Sequence, residues 1–226
     1  MQKQFQAKKY LNKQLSNNLK ATGINTVAFF YWSDKMDIRI LIRHGQSQFN
    51  LGETFNMDSD ITERGSYQVQ EVALAIKELL DTMLAGITID ACYVSPYVRA
   101  LKTALPIYSR LKIKTLIEPR IGEVPEERKK EQKTVIPFRQ SDFPAYEWGE
   151  YPKDGLDVSN RSISDYYAEL KIFIKQLPKN AIIVSHCTTI KDLAGLMTSQ
   201  SLRNIDIPNC SMTLIEDNEL IFMGKR

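Results

Sequence analysis

Only two histidines occur in this chain of 226 residues, His44 and His186, so any imidazole chemistry must use those two positions. Each directly follows a short apolar run. Ile38–Ile42 leads into Arg43-His44, and Ala181–Ser185 leads into His186. Runs of this length and β-branched character read as strands. Both histidines then stand at strand carboxyl ends, where an open α/β sheet binds its ligands. Either one alone is as readily a satisfied loop residue; the shared position favours a site. Two arginines take similar places. Arg43 adjoins His44, and Arg99 comes just after the run Ala91–Val94 and the turn Ser95-Pro96. Guanidinium forks match phosphate oxygens bidentately, so the four residues together read as a phosphate pocket.

The elements that must position them follow from periodicity. Glu63–Leu84 has apolar residues at Val69, Val72, Ala73, Ile76, Leu79, Leu80 and Met83, the spacing of a helix. Thr62 is its expected N-cap, and Gly86 lies just past its end. Tyr97–Leu111, Asn160–Gln176 and Thr189–Ser199 also read as helices, the second with Ile163, Tyr167, Leu170 and Ile174 on one face. Lys114–Ile117 reads as a strand; Cys210–Glu216 and Leu220–Met223 read as two more around the turn Asp217-Asn218. Residues 124–157 show no clean period and form a long excursion. Their aromatics, among them Phe138, Phe143, Tyr146, Trp148 and Tyr151, either cover the pocket for a bulky phosphomonoester or simply pack as a loop. Short strands alternating with helices argue for an α/β fold, a three-layer α/β/α sandwich on a largely parallel central sheet.

Composition narrows the class. At 43% hydrophobic and 25% charged, the chain can bury a core without disulfides or a structural metal. A net charge of +3 is too small to argue for a nucleic-acid partner. Residues 1–35 carry six lysines and one acid and read as an N-terminal extension, helical or disordered, ahead of one domain over 36–226. The longest apolar run, Val27–Trp32, falls far short of the ~20 residues of a membrane span. Cys92, Cys187 and Cys210 include no C-x-x-C pair, which argues against a zinc knuckle or disulfide framework. Reduced thiols in a cytoplasmic protein are the simplest expectation.

At this point a family resemblance is plain. Arg43-His44-Gly45-Gln46-Ser47-Gln48-Phe49-Asn50 resembles the RHGxSxxN signature of the histidine phosphatase superfamily, in its phosphoglycerate mutase-like branch. Ile61-Thr62-Glu63-Arg64-Gly65 is similar to its LTxxG element, and Ser95–Ala104 to its SPxxRAxxTA element. Val184-Ser185-His186 resembles the second-histidine element, and Asn209–Thr213 the strand start that follows it. The five stand in family order and cover roughly residues 36–226; RHG alone would say little.

The resemblance implies covalent phosphoryl transfer without metal or cofactor. His44 would be the nucleophile, with Arg43, Arg99 and His186 neutralising the phosphoryl oxygens. Asn50 would donate to phosphate from the first helix, and Cys187, where the family commonly has glycine, would lie against it. The leaving alkoxide needs a proton; Glu123 is the candidate acid, with Glu118 and Glu126 as rivals. The expected substrate is a small phosphorylated molecule, with the oligomeric state open. A compact 36–226 and a short Leu51–Met57 loop favour a phosphatase over a mutase-type phosphotransferase. A weak phospho-ligand binding module is the non-catalytic alternative. Asp58-Ser59-Asp60-Ile61-Thr62 also matches DxDxT, an aspartate-nucleophile motif, but no apolar strand leads into it. A cysteine phosphatase would need C-x5-R, which the chain lacks.

Overall fold

A computed structural model describes residues 36–123, 134–159 and 161–225. The expected extension 1–35 and the rival acid Glu126 lie outside the described residues.

The β-branched runs form the strands. A six-stranded sheet contains β1 (Ile38–Arg43), β2 (Ala91–Val94), β3 (Thr115–Ile117), β6 (Asn180–Ser185), β7 (Met212–Glu216) and β8 (Glu219–Lys225). Their order is β3-β2-β6-β1-β7-β8. The first four are parallel; β7 runs antiparallel to β1, and β8 antiparallel to β7. Two short strands, β4 (Val135–Ile136) and β5 (Leu156–Asp157), pair separately inside the excursion. The β7–β8 hairpin turns at Asp217-Asn218, both left-handed (φ 51° and 64°), the pair of conformations a two-residue I′ turn requires.

Among the described residues, four helices cover the two faces. On one side lie α1 (Glu63–Asp81) and α2 (Val98–Leu111); on the other lie α3 (Ile163–Gln176) and α4 (Cys187–Thr198). Alternation along the strands sorts the core. Ile38, Ile40, Ile42, Val94, Ile182 and Val184 face α1 and α2, whereas Leu41, Ile183 and Ile215 face α3 and α4. The sandwich is therefore three-layered with a largely parallel sheet, as the alternation of elements implies. Thr62 caps α1, its hydroxyl accepting from Gly65 N at 3.0 Å. On α3 Tyr166, Leu170 and Phe173 are buried, Tyr167 and Ile174 of the expected stripe pack partly buried against the same core, and Ile163 is exposed.

Burial decides between the two readings of the excursion. Phe143, Tyr146, Trp148 and Tyr151 are buried in the α1/α2-side core. Their polar ends are satisfied there: Tyr146 donates to Leu101 O, Trp148 to Phe143 O and Tyr151 to Ile136 O. They close the edge of the sheet beside β3, where Glu147 bridges Leu116 and its backbone pairs with Thr115 and Ile117. They are core, not a lining for a bulky substrate.

Candidate active site

Register brings the site together. Arg43 pairs with Ser185 across β1–β6, and Val94 with Val184 across β2–β6, so the three carboxyl ends are level. The next residues, His44, His186 and Ser95, therefore emerge side by side. β3 ends level with β2, since Val94 pairs with Ile117, and its continuation reaches Glu123 through a 3-10 turn, Pro119–Ile121. β7 enters from the same edge, because Met212 pairs with Ile42.

Close backbone approach explains the motif glycines. A Cβ on Gly45 would lie 2.9 Å from Val69 Cγ1 and 3.1 Å from Gly65 O. A Cβ on Gly65 would lie 2.2 Å from Gln46 O, so only glycine lets the start of α1 pack on the His44 loop. Thr103 locks the same contact. Its hydroxyl accepts from Gly45 N at 2.9 Å and donates to Arg99 O at 2.6 Å.

His44 and His186 are buried, with ring centroids 5.1 Å apart. His44 Nδ1 lies 2.7 Å from Gly45 O, so Nδ1–H donates and Nε2 carries the lone pair. Arg99 Nε donates to that Nε2 at 3.1 Å, and Arg99 Nη2 lies 3.1 Å from His186 Nδ1. His186 Nε2 is 2.7 Å from the buried Ser95 hydroxyl. The Arg99 guanidinium is itself buried, donates to Met57 O, and lies 4.6 Å from the Tyr97 ring centroid. Arg43 Nη1 donates to Ile207 O at 2.5 Å, while its buried Nε–H has no partner among the described residues. An unused buried donor beside two imidazoles and a second guanidinium suits an oxyanion.

Electrostatics follow from burial and the arginines. Burial, then Arg99, holds both histidines well below the ordinary imidazole range; Arg43 acts the same way on each, and His44 also lowers His186. Both imidazoles are therefore neutral at pH 7. Burial also lowers the Arg99 pKa, with Glu123 countering it.

Glu123 belongs to this cluster. Its Oε2 is 3.4 Å from His186 Nδ1 and 3.7 Å from Arg99 Nη2, and its side chain is 23% exposed. The rival Glu118 is spent elsewhere: it is buried, and its carboxylate receives Arg120 Nε at 2.7 Å and Nη2 at 2.6 Å. One donor atom each from His44, Glu123 and His186 falls within 4.8 Å of the others, a set that could ligate a metal. Arg99, however, already donates toward both imidazoles, so a guanidinium serves as the site's cation.

Two expected binding residues are placed differently. Asn50 sits in an exposed turn, ahead of α1 rather than on a helix. Its Oδ1 accepts from Ser47 and from Asn209 Nδ2, and Asn209 Nδ2 also reaches His44 O at 3.0 Å, which ties the turn to the His44 backbone. Cys187 opens α4, whose N-terminus has no side-chain cap, but the Cys187 side chain packs against the α3/α4-side core. Any contact with phosphate would fall to its backbone N–H.

Sequence reading missed Ser95, Asn209 and the role of Asp58. Ser95 and Asn209 lie within the quoted motifs, but nothing local says what they touch. Asp58, the first residue of DxDxT, is buried; its Oδ1 accepts from Val98 N at 2.8 Å at the start of α2, and its Oδ2 pairs with Arg139 at 2.7 Å. Asp60 accepts from Ile61 N and pairs with Lys102, and Thr62 caps α1. Each polar residue of that motif has a structural task.

Comparison with known proteins agrees with this fold. The profile of the histidine phosphatase superfamily (branch 1) matches residues 39–219. A protein of Hydrogenobacter thermophilus named "Putative phosphoserine phosphatase 2" is 26% identical over 82% of this chain and 94% of its own. A 2,3-bisphosphoglycerate-dependent phosphoglycerate mutase of Sphingopyxis alaskensis is 39% identical, over 37% of this chain and 36% of its own. The structure of a phosphoserine phosphatase from Entamoeba histolytica in complex with 3-phosphoglyceric acid superposes with a TM-score of 0.55 at 21% identity, covering 84% of this chain and 97% of that one.

Proposed function

This chain belongs to branch 1 of the histidine phosphatase superfamily, and on that premise we propose how it hydrolyses phosphomonoesters and on what class of substrate. The carrying observation is that a histidine lone pair, a second imidazole, a buried guanidinium and a carboxylate converge in one cluster.

His44 Nε2 attacks phosphorus in line with the departing oxygen, forming an N–P bond as the P–O bond breaks. The Nδ1–H bond to Gly45 O fixes the tautomer that leaves Nε2 nucleophilic and steadies the cation that forms. Arg99, Arg43 and His186 stabilise charge on the three non-bridging oxygens. A bound phosphoryl dianion draws the Arg99 donors toward its oxygens and favours a protonated His186. Beside the bound dianion Glu123 takes up a proton from solvent, delivers it to the leaving alkoxide, then takes one from the water that attacks the phosphohistidine, which releases phosphate.

The substrate class is a small alkyl phosphate. A group placed to protonate the leaving oxygen is needed for an alkoxide and nearly superfluous for a nitrophenolate. The phosphoserine phosphatase name of the relative matched along almost its full length points the same way, whereas the mutase match spans about a third of either chain. The free thiols of Cys92 and Cys187 fit a cytoplasmic setting. Among the described residues, no helix is long and apolar enough to cross a membrane.

Acid-labile, base-stable phosphate trapped after brief exposure to phosphoserine, and lost in His44→Ala, tests the nucleophile. Glu123→Gln should lower turnover of phosphoserine by about 10²–10⁴-fold and that of p-nitrophenyl phosphate by under tenfold. Equal losses on the two substrates would remove Glu123 as the acid.

A further inference from the structure

The short segment that delivers Glu123 is held in an unusual way. Three consecutive carbonyls before it each receive a side-chain donor. Arg161 Nη2 donates to Arg120 O at 2.9 Å, Ser185 Oγ to Ile121 O at 2.7 Å, and Thr189 Oγ1 to Gly122 O at 2.9 Å. Ser185 and Thr189 are both fully buried, and so is Ile121. Within the 3-10 turn itself, Ile121 N donates to Glu118 O at 3.3 Å, Gly122 N to Pro119 O at 3.1 Å and Arg120 N to Glu118 Oε1 at 3.0 Å, and none of these bonds reaches the three carbonyls.

Ser185 and Thr189 flank His186, one ending β6 and the other in the first turn of α4. Ser185 also works in the other direction, its carbonyl accepting from His44 N at 2.9 Å. One continuous segment therefore fixes the nucleophile's backbone, carries the second histidine, and grips the loop of the carboxylate. We infer that Ser185 and Thr189 are positioning residues that set the distance of Glu123 from the reacting oxygen, coupling the acid to the same rigid strand-to-helix junction that holds His186. The inference rests on Glu123 being the acid.

The physical case is one of tolerance. Proton transfer needs the donor within hydrogen-bond reach of the leaving oxygen, ~2.6–3.2 Å. Glu123 is joined to the sheet through a three-residue turn, and its carboxylate is partly exposed, so its own packing fixes it weakly. Two buried hydroxyl donors on adjacent carbonyls remove the peptide rotations that would swing it away. The Ser185 and Thr189 hydroxyls donate to Ile121 O and Gly122 O rather than toward His44 or Arg99, so their loss leaves the nucleophile and the cation in place.

The experiment uses the full chain with Thr189→Val, Thr189→Ser and Ser185→Ala, each assayed on phosphoserine and on p-nitrophenyl phosphate. Valine keeps the shape of threonine and removes only the hydroxyl. A misplacement of about 1 Å costs up to ~10²-fold, so Thr189→Val should lower phosphoserine turnover by roughly ten- to a hundredfold. The p-nitrophenyl phosphate rate should stay within about threefold, and Thr189→Ser should restore the former. Ser185→Ala should show the same selectivity and covers the case in which Thr189→Val folds poorly. In a Glu123→Gln background neither change should cost anything further on phosphoserine. Equal losses on both substrates, or losses additive with Glu123→Gln, overturn the positioning role while Glu123 stands. Loss of selectivity in Glu123→Gln itself overturns the acid assignment and this inference with it.

Discussion

Asp58→Asn separates two chemistries that the sequence leaves side by side. If Asp58 were the nucleophile of a DxDxT phosphatase, the amide would abolish turnover and leave the fold intact. The structure gives the opposite expectation. Asp58 is buried, and its two oxygens serve Val98 N at the start of α2 and the Arg139 guanidinium. Asparagine keeps a neutral bond to Val98 N, at about half the strength of the charged one. It forfeits the bond to Arg139, worth about 1.5–3 kcal/mol for a charged partner. Arg139 is 25% exposed, so water recovers part of this. The negative charge at the helix start contributes a further ~0.3–1 kcal/mol. Together these predict a loss of about 2–3 kcal/mol. For a domain of this size, roughly 2–4 °C per kcal/mol converts that to a fall of about 4–12 °C in Tm. Activity should fall by about tenfold or less, because the neighbouring Met57 carbonyl accepts from Arg99 and a looser Asp58 slackens that contact. Urea unfolding, thermal melting and phosphate release with and without a metal chelator provide the readouts. Phosphohistidine should still form, and chelation should change nothing. A variant as stable as the parent, inactive, and with a parent that stops turning over in chelator would refute the reasoning.

Two further outcomes follow from packing and burial. His186 is held neutral by burial and Arg99, so its folded pKa lies well below its unfolded value near 6.5. The stability from its neutral form is fully present above pH ~6.5 and is lost as pH falls toward the folded pKa, at about 1.4 kcal/mol per pH unit. Urea titrations between pH 6.5 and 5 should show His186→Gln losing stability less steeply than the parent by that amount; identical slopes would mean the imidazole is not buried neutral. Gly65→Ala forces a methyl to within 2.2 Å of the Gln46 carbonyl, a backbone atom that cannot step aside alone. Destabilisation near the upper end of overpacking, about 3 kcal/mol by denaturant melt, is expected, and a loss under about 1 kcal/mol would contradict the close approach.

Much of the framework was legible because it is local. Short apolar runs marked every strand of the main sheet, Thr62 capped the helix it was expected to cap, and Asp217-Asn218 made the hairpin turn. The placement of His44, His186 and Arg99 at strand ends needed only the alternation of strand and helix. What stayed open was whatever depended on distant neighbours. The α3 stripe was legible at Tyr167, Leu170 and Ile174, but Tyr166 and Phe173 bury more deeply on the sheet beneath them. The aromatics of the excursion allowed a substrate lining or plain packing until burial showed them inside the core. Asp58 and Asp60 matched a catalytic motif that no apolar strand introduces, and only their partners, Arg139 and Lys102, reveal anchoring roles.

The sequence by itself determined which residue types reach the carboxyl edge of the sheet, since that needs only strand periodicity and the residues that follow each run. The tertiary structure decided which atoms meet: that Arg99 donates to both imidazoles, that Glu123 rather than Glu118 joins them, and that Thr189 grips the carbonyl before it. The reason is range. Arg99 and Met57 are 42 residues apart and Thr189 and Gly122 are 67 apart, so such directional bonds exist only once parallel strands have been brought into register.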